Sequence, residues 1–389
     1  MILALNAGSA SLKFALHAND RALTRILAGA VSARDGEARL TIDLGAGKPR
    51  TNVQIEGDAT EPGRILPQVL DQLRRLGHTD GITAVGHRIV HGGTAFVAPA
   101  RLDGEALGAL AELIPLAPTH QPAGLAGVAV AMTALPRAVQ VGCFDTAFHA
   151  DQPWLARLYG LPRRLSEQGI IGYGFHGLSY SYIASVLRQR FGAGAGGRAI
   201  VAHLGSGVSL CAMREGHSVA TTMGFSTLDG PPMATRSGAL DPGVVLHLIQ
   251  SLGMSPGAVN EMLHRQSGLL GVSGISGDLR DLLGSNSPAA QEAIDLFAYR
   301  VGREIGSLAA ALGGLDTLVF TAGVGENLPV IRARIAETAA WLGVTVNTGR
   351  NQSGDVSIAE VGSPVDVLVI PTDEQRSIAQ GVLTWLGPR

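Results

Sequence analysis

The sequence predicts an α/β protein of two domains built on one repeated plan. Three observations point that way. Apolar, strand-like runs alternate along the chain with segments of helical apolar spacing. The pattern of strand, small-residue turn and strand occurs twice, about half a chain length apart, which hints at a duplicated architecture. The length of 389 residues also exceeds the roughly 250–300 residues that one hydrophobic core organises.

The elements follow in chain order. Residues 2–6, the turn 7–10 and residues 11–16 read as a hairpin, and residues 199–203, 204–207 and 208–213 repeat it. Strands are expected at 82–85, 138–142, 318–321 and 368–370, and helices at 105–113, 124–134, 178–190 and 291–312. The last helix carries Ile294, Phe297, Val301, Ile305 and Leu308 on one stripe. After 318–321 comes a glycine turn, 322–327, then a helical pattern through Val330, Ile331, Ile335 and Trp341. Such a corner presents free backbone N–H groups to an anion. The polar stretch 34–64 is expected to carry exposed strands of the first domain, and the glycine-rich 192–197 reads as a surface loop.

Composition narrows the function. Hydrophobic residues make up 46% and charged residues 16%, which excludes a disordered chain. A formal net charge of −2 gives no global basic field, so neither nucleic acid nor an anionic membrane is an expected partner. The longest apolar run, 125–135, is too short to span a bilayer. The first residues turn polar after five positions and lack a basic start, so a cytoplasmic protein is expected. Cys143 and Cys211 then read as two buried, reduced thiols. Of the 30 basic residues, Lys13 and Lys48 are the two lysines.

Several short constellations carry chemistry. Asn6, Ser9, Ser11 and Lys13 surround a glycine in the first turn; the set suits a phosphate chain, but taken alone it reads first as an ordinary hairpin with one exposed lysine. Arg88 sits in Gly86-His87-Arg88-Ile89-Val90-His91-Gly92-Gly93, after the expected strand 82–85. His87 and His91 lack the further ligand that a metal site needs and read as structural. Asp145 follows a strand, where it can serve a magnesium-bound nucleotide or cap the next segment. His176 lies between Gly174 and Gly177. A hydroxyl-rich loop, 221–230, leads to Arg236, and a buried strand ends at Asp373 and Glu374. Two arginines, a histidine, strand-end carboxylates and small-residue turns fit phosphoryl transfer, where positioning and charge stabilisation do most of the catalysis. No GxSxG elbow supports a serine hydrolase and no GxGxxG after the first strand supports hydride transfer.

In order along nearly the whole chain, NAGSASLK at 6–13, GHRIVHGG at 86–93, FDTAFH at 144–149, YGFHG at 173–177, HLGSG at 203–207, TRSG at 235–238, SGDLRD at 276–281, TAGVGEN at 321–327 and PTDE at 371–374 resemble the acetate kinases. The resemblance implies two ribonuclease-H-like domains of duplicated βββαβαβα plan with the active-site cleft between them, the first spanning 1–148 plus 376–389 and the second 149–375. It implies a homodimer, ATP or ADP as substrate, and Mg²⁺ or Mn²⁺. By position, Arg88 and Arg236 are similar to the arginines that hold acetate and the moving phosphoryl group. His176 is similar to the group that stabilises its equatorial oxygens, and Asn6, Asp145 and Glu374 to the metal-organising set. Asn6, Ser11, Lys13, His203, Gly205, Ser206, Gly207, Asp278, Leu279, Arg280, Gly323, Gly325, Glu326 and Asn327 are implied on the nucleotide side. Val90, Thr119, Phe175 and Thr227 are implied around the acetate methyl.

The chain departs from the family pattern where APLHNP reads 117–122 as APTHQP, where GFTPLEG reads 224–230 as GFSTLDG, and where HLGNG reads HLGSG with Ser206. Two apolar members of the acyl pocket are therefore threonine, which leaves room for propionate beside acetate. Other readings are a non-catalytic nucleotide-gated protein of the same superfamily, which would not need Arg88, His176 and Arg236 in these contexts, and a kinase with a longer acid or pyrophosphate as substrate.

Overall fold

A computed structural model describes residues 1–8, 11–34, 37–45, 50–58 and 61–387. Ser9, Ala10, Lys48 and the side chain of Ser11 lie outside the described residues. The chain forms two compact units, one of Met1–Ala150, His176–Tyr182 and Asp373–Arg389, the other of Asp151–Phe175 and Ile183–Thr372.

The first unit holds strands β1 (Ile2–Ala7), β2 (Ser11–His17), β3 (Arg25–Arg34), β4 (Glu37–Asp43), β5 (Thr51–Ile55), β6 (Ala84–Ile89), β7 (Ala100–Arg101) and β8 (Val139–Phe144). Their order in the sheet is β5-β4-β3-β2-β1-β6-β8-β7. The unbroken apolar run Ile2–Leu5 is buried on both faces, as a central strand requires. On one face Leu3 and Leu5 join Leu12, Phe14 and Leu16 against Ile65, Leu66, Val69, Leu70 and Leu73 of helix Pro62–Arg75. On the other, Ile2, Ala4, Ala84, Val141 and Cys143 pack with Ile378, Ala379 and Val382 of helix Glu374–Leu386.

The second unit holds β9 (Arg198–Leu204), β10 (Val208–Arg214), β11 (His217–Thr221), β12 (Thr317–Thr321) and β13 (Asp366–Val369), in the order β11-β10-β9-β12-β13. In each sheet three consecutive antiparallel strands are followed, beside the first of them, by two parallel ones: β3-β2-β1-β6-β8 and β11-β10-β9-β12-β13. This is the expected duplicated ribonuclease-H-like core. The first sheet extends it with β4, β5 and β7. The stripe Ile294, Phe297, Val301, Ile305 and Leu308 is buried on helix Pro288–Leu312, as its period predicts.

Some boundaries differ from expectation. The helical pattern after β12 breaks at Leu328, and Pro329 opens a new helix that ends at Thr338, because proline is tolerated in the first turn of a helix and not within it. Trp341 falls in a short 3₁₀ turn. Arg88 does not follow a strand but lies inside β6, which continues to Ile89. The strand tolerates Gly86-His87-Arg88 because its two faces have different cover. The His87 ring is buried against Gln140, with Nε2 2.8 Å from Oε1. Gly86 lies under the last helix, where a Cβ would stand 2.5 Å from Ile378 Cγ2 and 2.7 Å from Val382 Cγ2. Among the described residues no helix is long and apolar enough to cross a membrane.

Gly86→Ala should therefore destabilise the fold by about 1–3 kcal/mol, the usual cost of overpacking. Gly104→Ala, where a Cβ meets nothing within 4 Å, should stay within about 0.5 kcal/mol of the parent. Urea denaturation of the two variants checks this, and equal midpoints would contradict it.

Candidate active site

Strand register assembles the first group of side chains. Asn6 on β1 is opposite Lys13 on β2, and the parallel pairing of Leu5 with His87 sets Asn6 next to Arg88 on β6. Arg88 is in turn opposite Cys143 on β8, with Asp145 just past that strand's end. Lys13, Asn6 and Arg88 thus form a row on the face that the last helix covers. The helix begins beside this row: Asp373 caps it by accepting from Arg376 N, and Glu374, its first residue, is hydrogen-bonded to Asn6.

The row is connected by hydrogen bonds. Arg88 Nε and Nη2 donate to Asp145 Oδ2 at 2.9 and 2.7 Å, and Arg88 Nη1 donates to Asn6 Oδ1 at 3.3 Å. Asn6 Nδ2 donates to Glu374 Oε2 at 2.5 Å. The Asp145 side chain is 1% exposed and that of Arg88 14%. Burial works against the Arg88 charge, but the carboxylates of Asp145 and Glu374 outweigh it and hold the guanidinium above its ordinary value. Burial pushes the Asp145 carboxyl up, while Arg88 opposes that shift.

His176 is half-buried and left-handed, with φ 56°. A non-glycine residue held in that region is strained, and such strain is common at functional sites. The next residue explains the flanking glycine. Gly177 N donates to Asp145 O at 3.1 Å, and a Cβ there would lie 2.0 Å from the same oxygen. The His176 segment is thereby tied to the strand end that carries Asp145. Val90 is buried, and Thr119 is exposed with its Oγ1 2.7 Å from His120 Nδ1. Lys13 is exposed and lines a shallow groove of 240 Å³ with Arg25, Arg50 and Asp373. His91 Nδ1 accepts from Gly93 N at 2.9 Å, and burial lowers both His87 and His91 to about 4, as structural histidines require. Among the described residues no group of three or more His, Cys, Asp or Glu is arranged to hold a metal.

The second unit contributes a cavity of 430 Å³. Of the residues singled out in the sequence, Gly205, Ser206, Asp278, Leu279, Arg280, Gly323 and Asn327 line it. Asp278 caps helix Leu279–Leu283 and pairs with Arg280 at 2.5 Å. His203 lies opposite Thr321 in the β9–β12 pairing. Gly207 closes the turn by accepting from Gly205 N at 3.0 Å. Gly325 packs against Phe320, and the Glu326 carboxylate turns to Thr372 N at 3.1 Å. Arg236 Nη1 donates to Thr227 O at 2.8 Å, which ties the arginine to the loop that carries Thr227. Phe175 is 1% exposed. The cavity also uses Val208, Ala234, Leu269, Phe297 and Leu328, which the sequence did not mark as site residues. Phe297 belongs to the helical stripe, and periodicity cannot tell a cavity wall from a packed core. Gly277 also lines it and had a usable signal in the sequence, since it lies within SGDLRD at 276–281.

The family model of the Acetokinase family matches residues 1–380. This chain belongs to that family. It is 43% identical over 394 residues to the acetate kinase of Methylocella silvestris, covering 99% of this chain and 98% of the relative. It is 45% identical over 388 residues to that of Rhodopseudomonas palustris, covering 98% and 97%. Among solved structures, a propionate kinase from Francisella tularensis superposes with a TM-score of 0.89 at 33% identity, covering 98% of each chain. The Porphyromonas gingivalis acetate kinase superposes with a TM-score of 0.86 at 33% identity, covering 99% of each. These likenesses agree with the two-sheet acetokinase architecture.

Removing Arg88 should expose the electrostatic cost of its partner. Arg88→Ala leaves the Asp145 carboxylate buried without its counter-charge and should lose about 3–5 kcal/mol. Arg88 opposes the upward shift of the Asp145 carboxyl, so the variant's is raised further than the parent's, and a carboxyl raised above its unfolded value loses stability as pH rises above that value. The gap to the parent should therefore narrow from about pH 7.5 to about pH 5. Urea denaturation at both values checks this, and a gap independent of pH would contradict it.

Proposed function

We propose that this chain catalyses the reversible, Mg²⁺-dependent transfer of the ATP γ-phosphoryl group to acetate, giving acetyl phosphate and ADP. The observation that carries the reading is the Asp145–Arg88–Asn6–Glu374 network, found in a chain 43% and 45% identical to relatives named acetate kinases.

The chemistry follows from charge. A carboxylate and a polyphosphate repel each other, so guanidiniums are needed to bring them together. Arg88 and Arg236 fill that role. His176 donates to the equatorial oxygens of the phosphoryl group as it moves. An acetate oxygen attacks the γ-phosphorus in line, the new O–P bond forms as the bond to the β-phosphate oxygen breaks, and ADP leaves. No covalent enzyme intermediate is needed. Asp145 and Glu374, with the Asn6 amide between Arg88 and Glu374, are a donor set that suits Mg²⁺ held largely through water and phosphate oxygens. Bound there, the ion would neutralise developing charge on the phosphates. Ser11 and Lys13 are placed on the phosphate side, and His203 and the 205–207 turn on the nucleotide side. The apolar wall of Leu269 and Phe297 suits an adenine ring.

Thr119 and Thr227 favour a broader acyl pocket, so propionate is proposed as a second substrate. One methylene changes specificity by about 10–200-fold at most in such a pocket. We further propose a cytoplasmic homodimer. Helix Pro242–Gln250 buries none of its residues and leaves Val244 and Leu246 exposed, surface of the kind that oligomers cover.

A hydroxamate assay with ATP, Mg²⁺ and a panel of carboxylates tests the reading. Acetate should give the highest kcat/KM, with propionate within about 200-fold. A chain that phosphorylates neither acid would sink the assignment, and propionate roughly a thousandfold below acetate would sink the broad pocket. Arg236→Ala should lower kcat by about 10²–10³, as loss of a transition-state donor does. Near-normal turnover in that variant would remove Arg236 from the reaction.

A further inference from the structure

Helix Ala322–Asn327 forms part of the cavity wall through Gly323, Val324 and Asn327. Six residues close few helical hydrogen bonds, so such a segment depends on outside anchors. Two side chains supply them. Arg332 is 1% exposed, and its four hydrogen bonds all go to uncharged oxygens. Nη1 donates to Gly325 O at 2.8 Å and to Glu326 O at 2.9 Å, which satisfies carbonyls near the helix C-terminus. Nε and Nη2 donate to Oδ1 and O of Asn351, both at 2.7 Å, and Asn351 Nδ2 donates to Pro329 O at 2.9 Å. One end of the short helix is thus fixed to a buried guanidinium that is itself fixed.

Glu326 is the second anchor. The sequence motif places it among nucleotide-side residues, yet its carboxylate does not line the cavity. Oε1 accepts from the backbone N–H of Thr372 at 3.1 Å. Thr372 is the last residue of the second unit, and Asp373 begins the final segment of the first. Asp373 caps the helix that starts at Glu374, whose carboxylate accepts from Asn6. Upstream, Ile370 N donates to Phe320 O at 3.1 Å, and Pro371 has no N–H to give. Thr372 therefore offers the first backbone donor after Ile370 by which this crossing segment can be held, and a carboxylate from the cavity-wall helix takes it.

We propose that Glu326 is a positioning residue that couples occupancy of the cavity to the Thr372–Glu374 segment, and through it to the carboxylate beside Asn6. The proposal rests on the nucleotide reading of the cavity. A ligand that orders Gly323 and Asn327 orders the helix on its Arg332 anchor, and Glu326 transmits that order to Thr372.

Hydrogen exchange read by mass spectrometry on the full chain, with and without ADP, tests it in the parent, Glu326→Ala and Glu326→Gln. In the parent, ADP should slow exchange in peptides covering 277–283 and 322–328 and also in the peptide containing Thr372. In Glu326→Ala the Thr372 peptide should exchange faster without ADP and lose its response to ADP, while the cavity peptides still respond. Glu326→Gln keeps an acceptor and should keep the response. A merely structural role would speed exchange in Glu326→Ala and leave the ADP response in place, which overturns the proposal. Cavity protection with a silent Thr372 peptide in the parent removes the coupling alone. No ADP protection of the cavity in the parent removes the nucleotide reading and the coupling with it.

Discussion

A nearly buried arginine on a fully buried carboxylate constrains everything around it. Such pairs are seldom a net source of stability, because taking both charges out of water costs about as much as their attraction returns. The Arg88–Asp145 pair makes sense as preorganisation. Its guanidinium is held by two donors on one Asp145 oxygen and a third on Asn6, so it needs little rearrangement to meet an anion. The surrounding fold reflects that demand. Gly86 lets the last helix lie directly on β6. Gly177 lets the His176 segment close on the Asp145 carbonyl.

The second unit solves a different problem with the same sheet order. Its β9–β10 turn, the Asp278 helix cap and the corner after β12 line one cavity. This follows the tendency of α/β sheets to bind ligands outside the carboxyl ends of their strands. Here the wall is mostly backbone, small residues and apolar side chains, whereas the first unit's site is a charged network.

Much of this was legible in the sequence. Both hairpins were readable as unbroken apolar runs around small-residue turns, and the Pro288–Leu312 stripe by its 3.6-residue period, because runs and periods are local properties. Helix Pro62–Arg75 is not expected from the sequence, because Pro67 reads as a helix breaker; it is exposed, and the buried positions 65, 66, 69, 70 and 73 keep unbroken helical spacing around it. Individual site residues stood out through their glycine-flanked motifs. Their connections did not: the Arg88–Asn6 contact depends on the parallel register of β1 with β6, which local pattern does not encode. For the same reason the Glu326–Thr372 bond was invisible, and Phe297 looked like ordinary core.

The geometry of the Arg88 fork matters in addition to its charge. The most direct measurement is kcat for acetyl phosphate formation by Arg88→Lys, in protein shown by circular dichroism to be folded. Lysine keeps the positive charge but cannot reproduce the planar set of donors that spans Asp145 and Asn6. A fall of about 100-fold or more is expected. Turnover within a few-fold of the parent would show that a point charge suffices and that the fork geometry has no part in the reaction.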